Sequence, residues 1–225
     1  MPAKNSLKTY ISNAYYHIYN RGVEKRIIFL DKQDYAVFLS YLKEYLLPKD
    51  KKKLQQALIN SNLTGEKRDD ILKSLRMSNF ANEIILYAFC LMPNHFHLLI
   101  KQNQANSIAK FMNSLCTRYS MYFNKKYIRV GSLFQGVYKA VHIKREDYLL
   151  YITRYIHFQA RKIGQKPAHP SSIEDYLGVN NTGWIKPNEI LSYFSKTNPN
   201  LTYQSFMEQT ERRKSFDQIS SVLID

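Results

Sequence analysis

Leu91-Met92-Pro93-Asn94-His95-Phe96-His97-Leu98-Leu99 reads as the end of one strand, a turn and the start of the next. Pro93 and Asn94 are turn formers, and the flanking runs Ile84–Leu91 and His95–Lys101 are apolar enough for two buried strands of a hairpin. Successive side chains of a strand point to opposite faces, so His95 and His97 project side by side, about 6.6 Å apart, while Phe96 turns into the core. Two imidazoles on one rigid surface are half of a metal site. Hydrogen-bonded core histidines show the same alternation, and spacing alone leaves both readings open.

Outward from this hairpin, Asn13 to Asn20 is rich in β-formers and runs into Arg21-Gly22, a strand and a turn. Asp31 is placed to cap a helix through Leu47, with Tyr35, Phe38, Leu39, Leu42 and Leu46 at helical spacing before Pro48. Residues 48–80 are polar and basic, with helical patterns at Leu54–Leu58 and Ile71–Leu75, and read as a helical insertion. Ser107 is placed to cap a helix through Lys125 that turns Ile108, Phe111, Met112, Leu115, Tyr119 and Tyr122 inward. Gly131 to Ile143 reads as strand or extended hairpin, and Arg145 to Ile163 as a helix apolar at Leu149, Ile152, Ile156 and Ile163. Strand–helix–strand–strand–helix–strand predicts an α+β fold: a ferredoxin-like or RRM-like antiparallel sheet with helices packed on one face. The expected organisation is a domain over 1–164 with the insertion at 48–80, then a helical extension over 165–225. That extension opens on Pro167 and Pro170 and has short helical patterns at Asn188–Phe194 and Thr202–Arg213.

A formal net charge of +15 and a pI near 9.6 favour a polyanionic partner. From Arg118 to Gly164 ten Lys/Arg oppose two acids, and seven tyrosines are interleaved. Cations neutralise phosphates and aromatic faces stack on unpaired bases, a pairing suited to single-stranded nucleic acid. Cys90 and Cys116 make neither a disulfide framework nor a zinc knuckle. No apolar run reaches the ~18 residues of a membrane span, and Met1-Pro2-Ala3-Lys4 opens no signal-peptide core. The expectation is a cytoplasmic protein, nucleoid-associated when bound to DNA, with no membrane partner.

On the late helix Tyr155 and Gln159 are four residues apart and share one face. Were that face to lie over His95 and His97, two imidazoles and an amide oxygen would surround a cation with a phenol beside it. Imidazoles favour zinc or other transition ions, whereas amide oxygen and phosphate favour magnesium or manganese. A tyrosine can act as a covalent nucleophile, but with an ordinary pKa near 10 it needs nearby charge to favour the phenolate; Arg154, Arg161 and Lys162 are local candidates. Tyr148, Tyr151 and Tyr155 equally suit a core stripe.

The stretch from Leu91 to His97 closely resembles the signature of single-tyrosine HUH (His–hydrophobic–His) transposases, most of all the REP-associated tyrosine transposases and their transposase-like relatives. Tyr16-His17-Ile18-Tyr19-Asn20-Arg21-Gly22 is similar to the family's first strand and turn, and Ile28-Phe29 with Asp34-Tyr35 to the start of its first helix. Gly131-Ser132-Leu133-Phe134-Gln135-Gly136 with Tyr138-Lys139 resembles the approach to the catalytic helix, and Arg154-Tyr155-Ile156-His157 that helix's core. Ser171 to Gly178 resembles the extension of the larger members. The resemblance implies that His95, His97 and Gln159 hold a divalent metal, Mg2+ or Mn2+, and that Tyr155 is the nucleophile. Where this branch commonly has Asn-Pro, the chain has Gln159-Ala160; glutamine is the third ligand of the smaller insertion-sequence enzymes.

The leading expectation is metal-dependent cleavage and strand transfer of single-stranded DNA through a 5′-phosphotyrosine, with Arg21, Arg118, Lys139 and Arg154 as candidate DNA contacts. Its alternative is a domesticated hairpin-DNA-binding protein of the same fold that no longer transposes. A hydrolase using activated water would need a positioned carboxylate base that the sequence does not offer. The extension favours a monomer over a homodimer that exchanges the tyrosine helix.

Overall fold

Alternating aromatic and β-branched residues make Ala14–Arg21 the first strand, β1. The computed structural model describes residues 10–59, 63–160 and 169–209. Ile84–Met92 (β2) and His95–Gln102 (β3) form the expected hairpin, closed by Pro93-Asn94. With Lys139–Ile143 (β4) they make a four-stranded sheet in the order β2-β3-β1-β4, antiparallel at every pairing. The fold is α+β with the ferredoxin-like strand order expected from the sequence.

Helix α1 (Lys32–Leu46) starts in a capping box in which Asp31 and Asp34 each accept from the other's backbone N–H. The third long helix-forming stretch, Ser107–Lys126, becomes α4, after α2 (Lys51–Ile59) and α3 (Gly65–Arg76) in the insertion. Asn106 rather than Ser107 occupies the cap position of α4, and the Ser107 hydroxyl donates to Glu83 at 2.7 Å. Phe38 and Leu42 of α1 and Phe111, Leu115 and Tyr119 of α4 meet Ile18, Phe96, Leu98 and Ile100 of the sheet in one buried cluster. The expected single helical face holds for α1 and α4. Helix α5 (Glu146–Ala160) packs on the opposite face, where Ile152, Tyr155 and Ile156 join Ala88, Cys90 and Leu99 in a second cluster. Because β3 alternates, Phe96 faces the first cluster and His97 the second.

The strand expected from Gly131 shortens to Lys139–Ile143. Ile128, Gly131 and Gly136 adopt φ of 49°, 85° and 71°, a left-handed backbone that no pleated strand can contain. Short helices α6 (Ile173–Tyr176), α7 (Asn188–Leu191) and α8 (Tyr203–Glu208) follow, all carrying residues of the second cluster. The same segment covers the open edge of β2: Leu91 N–H donates to the Pro170 carbonyl, and Ser172 N–H to that of Phe89. Both cysteines are free thiols, and no helix among the described residues is long and apolar enough to cross a membrane. Arg161, Lys162, the boundary at 164/165 and the end of the helix expected to reach Arg213 lie outside the described residues.

Phe38 is fully buried against Phe29, Phe96 and Tyr119. Phe38→Ala should cost about 3–5 kcal/mol in urea unfolding, and Met121→Ala, on the solvent side of α4, less than about 0.5. Equal losses would contradict this packing.

Candidate active site

Pro93 and Asn94, at the hairpin tip, are bolted to the turn after β1. The Pro93 carbonyl accepts from Ile28 N–H at 2.8 Å and Phe29 N–H at 3.0 Å, and the Asn94 carbonyl from Gly22 N–H at 2.8 Å. A Cβ on Gly22 would lie 2.3 Å from the Arg26 carbonyl oxygen, so only glycine lets this turn close. The start of β3 is thereby held in place.

The sheet register sets His95 opposite Arg21 and His97 opposite Tyr19, all on the α5 face. The His95 and His97 rings lie 5.0 Å apart, edge to face. Tyr155 of α5 meets His97 with ring centres 5.5 Å apart, and His17 of β1 at 6.0 Å. The structure thus brings His95, His97 and Tyr155 together. Gln159 follows one helical turn later, half-buried, on the same helix.

Two hydrogen bonds orient the imidazoles. Asn94 Oδ1 lies 2.6 Å from His95 Nδ1, and the Asn94 amide nitrogen donates to the Lys25 carbonyl. With the amide so oriented, its oxygen can only accept; His95 Nδ1 therefore carries the proton and Nε2 the lone pair. His97 Nδ1 shares a proton with His17 Nε2 at 3.0 Å. Nε2 of His95 and Nε2 of His97 are both buried with no hydrogen-bond partner among the described residues. Two adjacent orphaned imidazole nitrogens fit a divalent cation, whose bound form requires neutral ligands. Burial supplies that neutrality: it pushes the His95 pKa down to about 4, with Arg21 and His169 adding repulsion, and His97 well below the ordinary 6.5. No group of three His, Cys, Asp or Glu side chains placed to hold a metal ion is found among the described residues.

Tyr155 is 1% exposed. Burial, reinforced by the neighbouring phenols of Tyr151 and Tyr19, pushes its pKa up to about 12, so it is a neutral phenol in this conformation.

The candidate DNA contacts divide. Arg21 and Lys139 flank the histidine face, Lys139 pairing opposite Tyr19 and exposed. Arg21 donates to the Gln135 side chain at 2.5 Å. Arg118 is corrected: it pairs with Glu44 at 2.6 Å and stacks 3.6 Å from the Tyr41 ring, in the helical layer behind the sheet. Arg154 is corrected too. It is buried, donates to the carbonyls of Met207 and Gln209, and stacks on Phe158 and Phe206, so it anchors α8 rather than meeting solvent.

Sequence reading missed His17 as a neighbour of the site and took Asn94 only as a turn former. Strand alternation puts His17 on the face of Tyr19, but only the β1–β3 register sets that face beside His97.

An antiparallel α+β sheet with paired imidazoles facing a helix-borne tyrosine is the class that fold and site define. Residues 60–159 match the model of the family described as transposase IS200-like. The resemblance read from the sequence is borne out. A REP-associated tyrosine transposase bound to a REP hairpin is similar at 10% identity and TM-score 0.49, over 81% of this chain and 96% of that one. A candidate transposase from Deinococcus radiodurans R1 is similar at 17% identity and TM-score 0.29, over 69% of this chain and 97% of that one. No curated protein matches the chain.

Folding lowers the pKa of His17 to about 3 and of His95 to about 4, from 6.5. The unfolded chain therefore binds more protons below pH 6.5, and stability conferred by the neutral imidazoles is complete above 6.5 and drains away toward pH 4. Urea midpoints should fall from pH 7 to pH 4.5, and less steeply in His17→Leu. Parallel slopes in the two proteins would contradict the assignment.

Proposed function

We propose that the protein cleaves and rejoins single-stranded DNA, with Tyr155 as nucleophile and His95, His97 and Gln159 as ligands of Mg2+ or Mn2+. The observation that carries this reading is the meeting of Tyr155 with the His95/His97 pair, whose two Nε2 atoms are orphaned. A cation bound there would polarise the scissile phosphate and fix it for in-line attack.

His95 and His97 would supply neutral Nε2 lone pairs, with Asn94 and His17 hydrogen-bonded at the Nδ1 side of each ring. The Tyr155 oxygen forms a bond to phosphorus as the bond from phosphorus to the 3′-oxygen breaks. The phenol gives up its proton and the departing 3′-oxygen takes one up, so the step is proton-neutral. Its product is a 5′-phosphotyrosyl link that another 3′-hydroxyl reverses without ATP. Arg21 and Lys139 border this face and supply charge for the DNA backbone. Buried as it is, Tyr155 is closed off from solvent and would have to turn out of its contacts to reach a phosphate.

That closure favours a second reading, a hairpin-DNA-binding protein of the same fold that no longer cuts. A hairpin oligonucleotide with a single-stranded flank, incubated with Mn2+, should give a protein–DNA adduct that survives SDS. Tyr155→Phe and His97→Ala should each reduce it at least about 100-fold with DNA affinity retained. Binding without adduct under Mg2+ and Mn2+ would select the second reading, and an adduct persisting in Tyr155→Phe would move the nucleophile, with Tyr151 next in line.

Lys139 and Arg154 give a contrast. Lys139→Gln should weaken DNA binding and reduce the salt slope by about 1, whereas Arg154→Met should lower the melting midpoint by several degrees and leave the slope unchanged. The reverse pattern would contradict their placement.

A further inference from the structure

We propose that His17 and Asn94 are positioning residues that select the tautomers of the two metal-ligating histidines, one from inside the sheet and one from the hairpin tip. The inference rests on the divalent-cation part of the reading above and is independent of the tyrosine chemistry.

Both contacts end on Nδ1 and leave Nε2 for the ligand: Asn94 Oδ1 at His95 Nδ1, 2.6 Å, and His17 Nε2 at His97 Nδ1, 3.0 Å. The Asn94 contact is decided by the amide alone, since its nitrogen is engaged by the Lys25 carbonyl. The His17 contact has two possible directions. If His17 donated, His97 would present Nε2–H, and an N–H cannot ligate a cation held by the neighbouring lone pair of His95. If His97 donates, both Nε2 atoms offer lone pairs to one cation, and the proton on His17 moves to its own Nδ1.

His17 is also the unexplained group of this face. It is fully buried, stacks on His97 with ring centres 5.1 Å apart, and its Nδ1 has no hydrogen-bond partner among the described residues. A leucine there would fill a similar space without an orphaned polar atom, so packing alone does not call for an imidazole. Its one hydrogen bond to another described residue is the one to His97.

Mn2+ titration of the intact chain by calorimetry, with no DNA present, tests this. Wild type should show a site that His97→Ala abolishes. His17→Leu should weaken it about 10–100-fold, the usual cost of losing a partner behind a metal ligand. His17→Gln, whose amide oxygen can accept at the Nε2 position, should restore affinity to within about threefold. Asn94→Leu should weaken the site as His17→Leu does, and Asn94→Asp should retain it; the turn-tip pair carries the test should His17→Leu fail to fold. Long-range 1H–15N spectra of the metal-free protein should show His95 protonated at Nδ1. Leucine variants that bind Mn2+ as wild type does, glutamine failing along with leucine, or His95 protonated at Nε2 would overturn the proposal. Wild-type protein lacking any His97-dependent Mn2+ site would instead bring down the cation reading, and this inference with it.

Discussion

The register of β3 between β1 and β2 is the constraint on which the rest depends. Strand side chains alternate with period two, so a slip of one residue would send Phe96 toward α5 and His97 into the aromatic cluster beneath α1 and α4. Register is fixed twice. Apolar demand on the α1/α4 face takes Phe96, Leu98 and Ile100, and the Pro93 and Asn94 carbonyls take the backbone N–H groups of the turn after β1. With that settled, His95 and His97 have nowhere to face but α5.

A second constraint holds α5 itself. His157, fully buried, lies 2.6 Å from the Tyr203 hydroxyl by Nδ1 and 2.7 Å from that of Ser172 by Nε2. Ser172 also receives the Phe89 N–H, and the Tyr176 hydroxyl donates to the Tyr87 carbonyl. One buried network therefore ties the tyrosine helix, the edge of β2 and the segment after residue 169. Buried networks of this kind specify a single arrangement more than they add stability, because every member left unpaired is costly. Here the arrangement specified is the seat of Tyr155 over the imidazoles.

Local signals explain what could be read from sequence. The His-Phe-His alternation, the Asp31 cap and the helical spacing of α1, α4 and α5 are set by residues within a few positions of one another, and each was legible. The strand or extended hairpin expected from Gly131 to Ile143 shortens to Lys139–Ile143 because the left-handed Gly131 and Gly136 are turn devices inside an otherwise strand-like composition. Arg154 was misjudged for a different reason: a basic residue beside a candidate nucleophile suggests a phosphate contact, but α8, whose carbonyls it satisfies, lies fifty residues further on. Asn94 and His17 were missed because their contribution is a hydrogen bond rather than a residue type, and that of His17 exists only through a long-range strand pairing.

Anomalous scattering from crystals grown with Mn2+ tests the central claim most directly. The account predicts one strong peak within bonding distance of Nε2 of both His95 and His97, on the α5 face of the sheet. A map with no peak there, or with manganese only on surface carboxylates, would contradict it.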